Sequence, residues 1–557
     1  MKTHKVMVIG LDGATFDLIR PWAASDRLPT LRRLMAEGAF GELRSTIPPM
    51  TGPAWTSFMT GKNPGKHGIY DWIYRRQDSY DVSPVTAKHC AEPALWSLLS
   101  GAGKRVCVYN VPMTYPPEAV NGVMIAGMLT PSVRSPFTYP PDLYQEMTQQ
   151  IDEYILYPDP GQAYSDSGVD AFLKRLYKTA ENRLKVLRFL RSKEEWDFLT
   201  VVFNGTDAVQ HALWKYMSPE HPQHDPAKAA KYGNAILQFY QYMDAWLAEL
   251  LEDLDEDTLL MIMSDHGAGP FRKFIHVNNW LRQEGWLQLK GDAQTRIKAA
   301  LFRAGFAPMK LYNLLMRLGL GALKREVVRG KGQGLLKTLF LSLGDVDWSR
   351  TVAYSLGNIG QIYLNVRGRE PQGIVERGMA YEALRSQIMT RLADLRDPET
   401  GERVIEEIYR REEIYAGRHL DQAPDILFLP KNLEYFGFGE YEFGSNEVIE
   451  KVNRGISGTH RMNGIFMLKG QPIRRGVEVK GAAIIDLAPT ILYLMGVPVA
   501  EDMDGRVIVE ALKPEYTDVD SLRQGKTTTK PVSDLEVLSP EEESQIVERL
   551  RGLGYVG

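Results

Sequence analysis

The chain has 557 residues, 44% hydrophobic and 24% charged, which is the balance of an ordinary globular protein and excludes a disordered one. Lys and Arg number 66 against 70 acids, so the net charge of -4 excludes wholesale nucleic-acid binding and makes any basic function local. The length exceeds the size at which a single core stops growing, so one large enzyme domain with insertions, or two domains, is expected.

Met1 to Lys5 lead straight into a predicted strand, Val6 to Leu11, without the successive charged, apolar and cleavable regions of a secretory signal. No apolar run reaches the roughly 18 residues a membrane span requires. Cys90 and Cys107 have neither metal spacing nor a disulfide pattern, so reduced thiols in a cytoplasmic protein are expected. Pro29 to Glu37 reads as a helix with Gly38 as its stop.

Thr46 to Trp72 follows, and its centre is Thr51. Pro48-Pro49 before it and Gly52-Pro53 after it fix the backbone, so a hydroxyl is presented at a turn ahead of an apolar, helix-like run. A threonine hydroxyl attacks only when a base or a metal activates it. No histidine or lysine lies close before it, so the activator must come from elsewhere; the candidate metal ligands are Asp12, Asp207, His211, Asp265, His266 and His460.

Arg105 to Val111, Val123 to Gly127, Phe198 to Phe203, Leu259 to Met263 and Asp425 to Leu429 read as buried strands, and Asp170 to Arg191, Tyr232 to Leu254 and Asp486 to Met495 as helices. Their alternation predicts an α/β sandwich, in which ligands bind beyond the carboxyl ends of the strands. Asp12, Asp207 and Asp265 each fall at or just past the end of a predicted strand, which brings three carboxylates to one edge. Asp207 and His211, four apart, share a face if the turn after the strand is helical. Asp265 and His266 are adjacent and need irregular backbone to turn toward one ion.

Residues 292–345 are expected as a helical, basic insertion or cap within a catalytic domain of residues 1–510, with residues 511–557 a linker and short C-terminal helix opened by a Ser539, Pro540, Glu542 capping box. Residues 293–341 hold ten basic side chains against one acid, Glu326, with Leu311, Leu314, Leu315 and Leu318 at helical spacing. Two readings stay open. One is a cap whose cations draw anionic substrate inward. The other is an amphipathic surface lying on an anionic membrane, which would put the protein at the inner membrane face, acting on a lipid-linked substrate.

I-G-L-D-G at 9–13, P-P-M-T-G-P at 48–53, N-P-G-K-H-G-I at 63–69, D-A-V-Q-H at 207–211, M-S-D-H-G at 263–267 and G-T-H-R at 458–461 occur in an order that resembles the alkaline phosphatase superfamily, and within it the type I phosphodiesterase and nucleotide pyrophosphatase branch. The resemblance implies a three-layer α/β/α sandwich with a central, mostly parallel sheet. It also implies two divalent metal ions, zinc first and manganese as the alternative, one on Asp207, His211 and His460 and one on Asp12, Thr51, Asp265 and His266. Thr51 would attack phosphorus and form a phosphothreonine that water hydrolyses.

A sulfatase of the superfamily would need Cys or Ser in a C-x-P-x-R pattern, which this chain lacks at Thr51. Pyrophosphatase relatives carry a phosphate-binding asparagine 21 positions after the nucleophile, where this chain has Trp72. Arg461 or Asn204 would then hold the phosphate, and the apolar face of Trp72 favours diesters. His67 is expected as a hydrogen-bonding pin of the nucleophile loop. The partner is a small phosphoester or a lipid-linked one, with no nucleic acid as a structural partner. The rival readings are a phosphotransferase or mutase and a catalytically silent ligand-binding member, against which stand seven filled ligand positions.

Overall fold

Every residue of Val6–Leu11 is buried, which a strand achieves only with both faces covered. Its side chains alternate accordingly. Val6 and Val8 belong to one apolar cluster with Trp55, Phe58 and Ile491, while Met7, Ile9 and Leu11 belong to another with Leu187, Val209 and Phe239. Full burial of each such side chain contributes about 1.5–3 kcal/mol. Helices therefore flank both faces, and the fold is a three-layer α/β/α sandwich of the alkaline phosphatase type. The computed structural model describes residues 5–164, 168–307, 340–439, 443–452, 455–518 and 538–553.

The central sheet has ten strands and is mostly parallel around Lys5–Leu11. That strand pairs in parallel with Phe198–Phe203 on one side and Thr258–Met263 on the other, with Leu11 opposite Phe203 and Gly10 opposite Met263. The three chains consequently leave the sheet at one edge, immediately before Asp12, before the helix that carries Asp207, and before Asp265. Val106–Tyr109 and Gly122–Ile125 extend the parallel side. On the other side, Asn463–Lys469 joins Thr258–Met263 and Ala39–Arg44 antiparallel to both.

A third apolar cluster lies outside this sandwich and draws its residues mainly from between Ile275 and Ile449. It is built on two four-stranded sheets, one holding Lys273–His276 and Tyr435–Gly439, the other Gln361–Leu364 and Ile426–Pro430. The apolar run at 425–429 is thus a buried strand of this second unit, not of the central sheet. The helix Ala293–Arg303, capped by the Asp292 side chain, packs Ala299 and Phe302 into the same cluster. Residues 308–339, with most of the basic run and all four spaced leucines, lie outside the described residues, as does the expected linker around Lys526.

The C-terminal helix Pro540–Gly552 opens on the Ser539 and Glu542 capping box and buries Ile546 and Leu550 in the cluster that contains Val6. Among the described residues no helix is long and apolar enough to cross a membrane.

Candidate active site

At the sheet edge the backbone turns sharply. Gly13 adopts φ +68, its N–H donates to Asp265 Oδ1 at 3.3 Å, and a Cβ there would come within 3.0 Å of Asp207 Oδ1. Asp207 and His211 lie one turn apart on the helix Gly205–Met217, and their side chains meet at 3.1 Å. The strand Gly267–Pro270, directly after Asp265 and His266, pairs antiparallel with Gly458–Arg461, which carries His460. Gly458 is required by close approach: a Cβ would stand 2.4 Å from the Gln210 carbonyl oxygen.

Thr51 is the first residue of the helix Thr51–Thr60, and its hydroxyl lies 3.1 Å from His266 Nε2. None of the seven residues is more than 5% exposed, so the cluster sits in a dry, low-dielectric setting.

Three backbone carbonyls settle the imidazole protons. His211 Nδ1 donates to Gly458 at 2.7 Å, His460 Nδ1 to Pro49 at 2.8 Å and His266 Nδ1 to Gly267 at 2.9 Å. A carbonyl can only accept, so each Nδ1 carries a proton and each Nε2 turns inward. His211 Nε2 and His460 Nε2 are 3.2 Å apart, and the His266 and His460 rings stack with centroids at 3.6 Å. Two lone pairs facing at that distance need a cation between them, either a proton on His211 or a metal that displaces it.

Asp12 Oδ1 and Asp265 Oδ2 are buried in the same place with no hydrogen-bond partner among the described residues. Ligand atoms of Asp207, His211 and His460, and of Asp12, Asp207 and His266, each lie within 4.8 Å of one another. A set of carboxylate oxygens and imidazole nitrogens fits a divalent transition metal.

The electrostatics agree with that fit. Burial pushes the carboxyl of Asp12 well up, reinforced by Asp265 and Asp207. Burial likewise raises Asp265, against the opposing pull of His266. Burial would raise Asp207 too, but His211, with His460 and His266 behind it, outweighs that and holds it at about 2. His460 is driven well below the usual histidine value by burial and by the neighbouring His266 and His211. Positive charge at the centre of the cluster would relieve both raised carboxylates, Asp12 and Asp265, at once.

The other expected residues are placed as follows. His67 accepts from the Ile69 N–H at 3.1 Å and donates from Nε2 to Ser57 Oγ at 3.0 Å, tying the loop after the Thr51 helix to its second turn. Burial lowers its pKa to about 3, so the ring is neutral. Asn204 Nδ2 donates to Asp12 Oδ2 at 2.7 Å. Arg461 alternates with His460 along the strand and turns away from it. Its guanidinium lies against Gly269 and donates to the carbonyls of Leu433, His460 and Pro270.

Trp72 is fully buried with its ring against Gly52, where a Cβ would sit 3.4 Å from it. The preceding Asp71 accepts from the Asn358 backbone and side chain, from Gln361 Nε2 and from the Trp72 N–H. These bonds join the nucleophile segment to the second unit. Sequence reasoning missed Asn110, Arg183 and Thr206, whose contacts to Asn204 and to the Asp12 carbonyl no local pattern announces.

A cavity of about 950 Å³ lies elsewhere, against the hairpin of Ile73–Arg75 and Val82–Pro84, and none of the seven residues lines it. Its Arg76, Arg369 and Arg377 pair with Glu543, Asp425 and Asp421. Volume alone does not make a reaction centre, so the chemistry is assigned to the buried cluster.

The sequence pattern of the family Type I phosphodiesterase / nucleotide pyrophosphatase matches residues 6–442. Among curated proteins the chain has no match. Of solved structures, phosphonoacetate hydrolase from Sinorhizobium meliloti 1021 in complex with phosphonoformate is similar at 15% identity and a TM-score of 0.51, over 88% of this chain and 96% of that one. Human ectonucleotide pyrophosphatase / phosphodiesterase 5 is similar at 14% identity and a TM-score of 0.48, over 90% and 97%. The hydrolase likeness carries the fold alone. The sequence match covers most of the chain, so the chain belongs to the type I phosphodiesterase / nucleotide pyrophosphatase family of phosphoester hydrolases in the alkaline phosphatase superfamily.

Proposed function

We propose that the chain cleaves phosphodiesters or phosphoanhydrides with Thr51 as nucleophile. Asp207, His211 and His460 would hold one divalent cation and Asp12, Asp265, His266 and Thr51 a second, with zinc preferred over manganese. The observation that carries the reading is the convergence of three imidazole Nε2 atoms, two carboxylate oxygens without hydrogen-bond partners and the Thr51 hydroxyl in one buried place. When bound, the cations supply Lewis acidity, favouring the ionised threonine and neutralising charge on the attacking and leaving oxygens.

The chain's own residues do the rest. Thr51 opens a helix, so peptide dipoles favour negative charge at its Oγ1. The N–H groups of Thr51 and Gly52 have no intrahelical acceptor, and Pro53 has no N–H, so these two amides are the donors offered to a phosphate oxygen. That role replaces the one expected of Asn204 and Arg461, whose donors serve Asp12 and backbone carbonyls. The Oγ1–P bond forms as the bond from phosphorus to the leaving oxygen breaks, and water then splits the Thr51–phosphorus ester, restoring the hydroxyl and releasing the phosphoryl group with its second substituent still attached. The His67–Ser57 bond holds the nucleophile helix against its loop, and burial of the cluster excludes competing water.

Acid-quenching turnover of bis-p-nitrophenyl phosphate should leave a p-nitrophenyl phosphoryl group on the peptide containing Thr51. Turnover without that label would mean water attacks directly. Release of the monoester product with no acceptor present separates hydrolysis from a phosphotransferase or mutase, and faster turnover of p-nitrophenyl phosphate than of the diester would reverse the substrate preference.

A second reading concerns the substrate's setting. On the helix Ala293–Arg303, Thr295, Lys298, Ala299 and Phe302 turn inward while Ile297 is 61% and Leu301 38% exposed, beside exposed Arg296 and Arg303. That apolar and basic face favours docking on an anionic leaflet and a lipid-linked phosphoester.

A further inference from the structure

Asp12 can serve as a ligand only if one oxygen is held and the other is left to point into the cluster. Asn204 Nδ2 holds Oδ2, and among the described residues Oδ1 has no hydrogen-bond partner. The Asn204 amide could rotate and present its own oxygen to the carboxylate, and two buried donors prevent this. Asn110 Nδ2 donates to Asn204 Oδ1 at 3.0 Å while also bonding the Val202 carbonyl at 2.6 Å. Arg183 Nη2 approaches the same oxygen at 3.4 Å and is anchored on the Leu156 carbonyl at 2.9 Å.

Both donors are unusual for their places. Asn110 sits directly after the strand Val106–Tyr109 with φ +57, a left-handed conformation that asparagine tolerates better than most residues. Arg183, on the long helix Val169–Lys193, is 1% exposed; among the described residues no carboxylate pairs with it, and its Nε has no hydrogen-bond partner. A buried guanidinium without a counter-ion is costly to keep. Its nearest functional contact is the amide that orients Asp12.

We propose that Asn110 and Arg183 are positioning residues for the metal centre, clamping the Asn204 amide in the one orientation that leaves Asp12 Oδ1 as a ligand. The inference rests on the proposed reading of Asp12 as a metal ligand. Outer partners of this kind tune metal affinity by about 10- to 100-fold.

The test is equilibrium dialysis of the full chain against zinc, with melting temperature recorded alongside. Wild type should bind two ions. Arg183→Met should loosen one of them about tenfold or more and leave the other unchanged. Arg183→Lys should restore it at least in part, because both bonds come from the single nitrogen Nη2, which an ammonium with three donors can stand in for. If Arg183→Met fails to fold, Asn110→Gly removes the other donor while glycine accepts the same φ, and it should loosen the same ion.

A merely structural role would lower the melting temperature with both affinities intact, and that result overturns the clamp. Loosening by Arg183→Lys as severe as by Arg183→Met would show that the two Nη2 bonds are not what holds the ion, and overturns the clamp as well. Wild type binding fewer than two ions would instead overturn the metal reading itself, and the clamp with it.

Discussion

Replacing Thr51 by alanine separates chemistry from stability. The side chain is 2% exposed and its hydroxyl makes one hydrogen bond, to His266 Nε2 at 3.1 Å. Losing that bond costs about 1 kcal/mol. Losing the buried methyl costs about 1 kcal/mol more. The sum, about 2 kcal/mol, is within what a large domain tolerates, so the variant should remain folded and melt only a few degrees lower. Its turnover should nevertheless fall by about 10³-fold or more, since the attacking atom is gone. Thr51→Ser keeps the hydroxyl at the helix N-terminus, loses about 1 kcal/mol with the methyl, and should retain partial activity. The assay is p-nitrophenol release from the diester at saturating metal, with melting curves for all three proteins. An alanine variant within about tenfold of wild type would refute covalent catalysis by Thr51.

His460→Ala should empty the cation position it shares with Asp207 and His211 more than the other, read as metal per chain by elemental analysis; equal loss from both would contradict the two ligand sets. Burial pushes the Asp71 carboxyl up to about 6, so the folded state keeps a proton that the unfolded chain has released; the stability Asp71 contributes is present below about pH 4 and is lost as pH rises through about 6. Relative to Asp71→Asn, wild type should therefore lose about 2 kcal/mol between pH 4 and pH 7 in urea titrations, and parallel pH profiles would rule this out. Vesicles containing phosphatidylserine should sediment the protein at low salt but not at high salt, and Ile297→Glu with Leu301→Glu should abolish this; no sedimentation at low salt leaves only the cap reading.

Much of the fold was legible because local signals and tertiary packing agree. Pro29–Glu37 stops at Gly38, whose N–H closes on Leu34, and the C-terminal helix begins on its Ser539 cap. Fully apolar runs marked the sheet's centre, since a strand covered on both faces shows no alternation. The same signal marked the run at 425–429 as a buried strand, which it is, but burial on both faces says that a strand is covered, not which sheet it joins. Ala39–Arg44 was invisible for the opposite reason. It is half-exposed and short, with polar residues at its exposed positions, and its pairing with Asn463–Lys469 spans more than four hundred residues.

At the site, sequence order could nominate Asp12, Asp207 and Asp265 because each follows a strand, and parallel pairing in register is what brings strand ends to one edge. Arg461 could have been excluded on the same grounds. On Gly458–Arg461 neighbouring side chains face opposite ways, so if His460 points into the cluster, Arg461 cannot. No comparable rule exists for Asn110 or Arg183. Asn110 lies beyond a strand end like the aspartates, yet its amide acts on another amide. Arg183 sits mid-helix, where an arginine ordinarily reads as a solvated charge. What distinguishes it is burial without a counter-ion, which only the packed structure reveals. Residues that bear ligands are therefore found by topology, whereas residues that aim those ligands are found by asking why a buried polar group is kept.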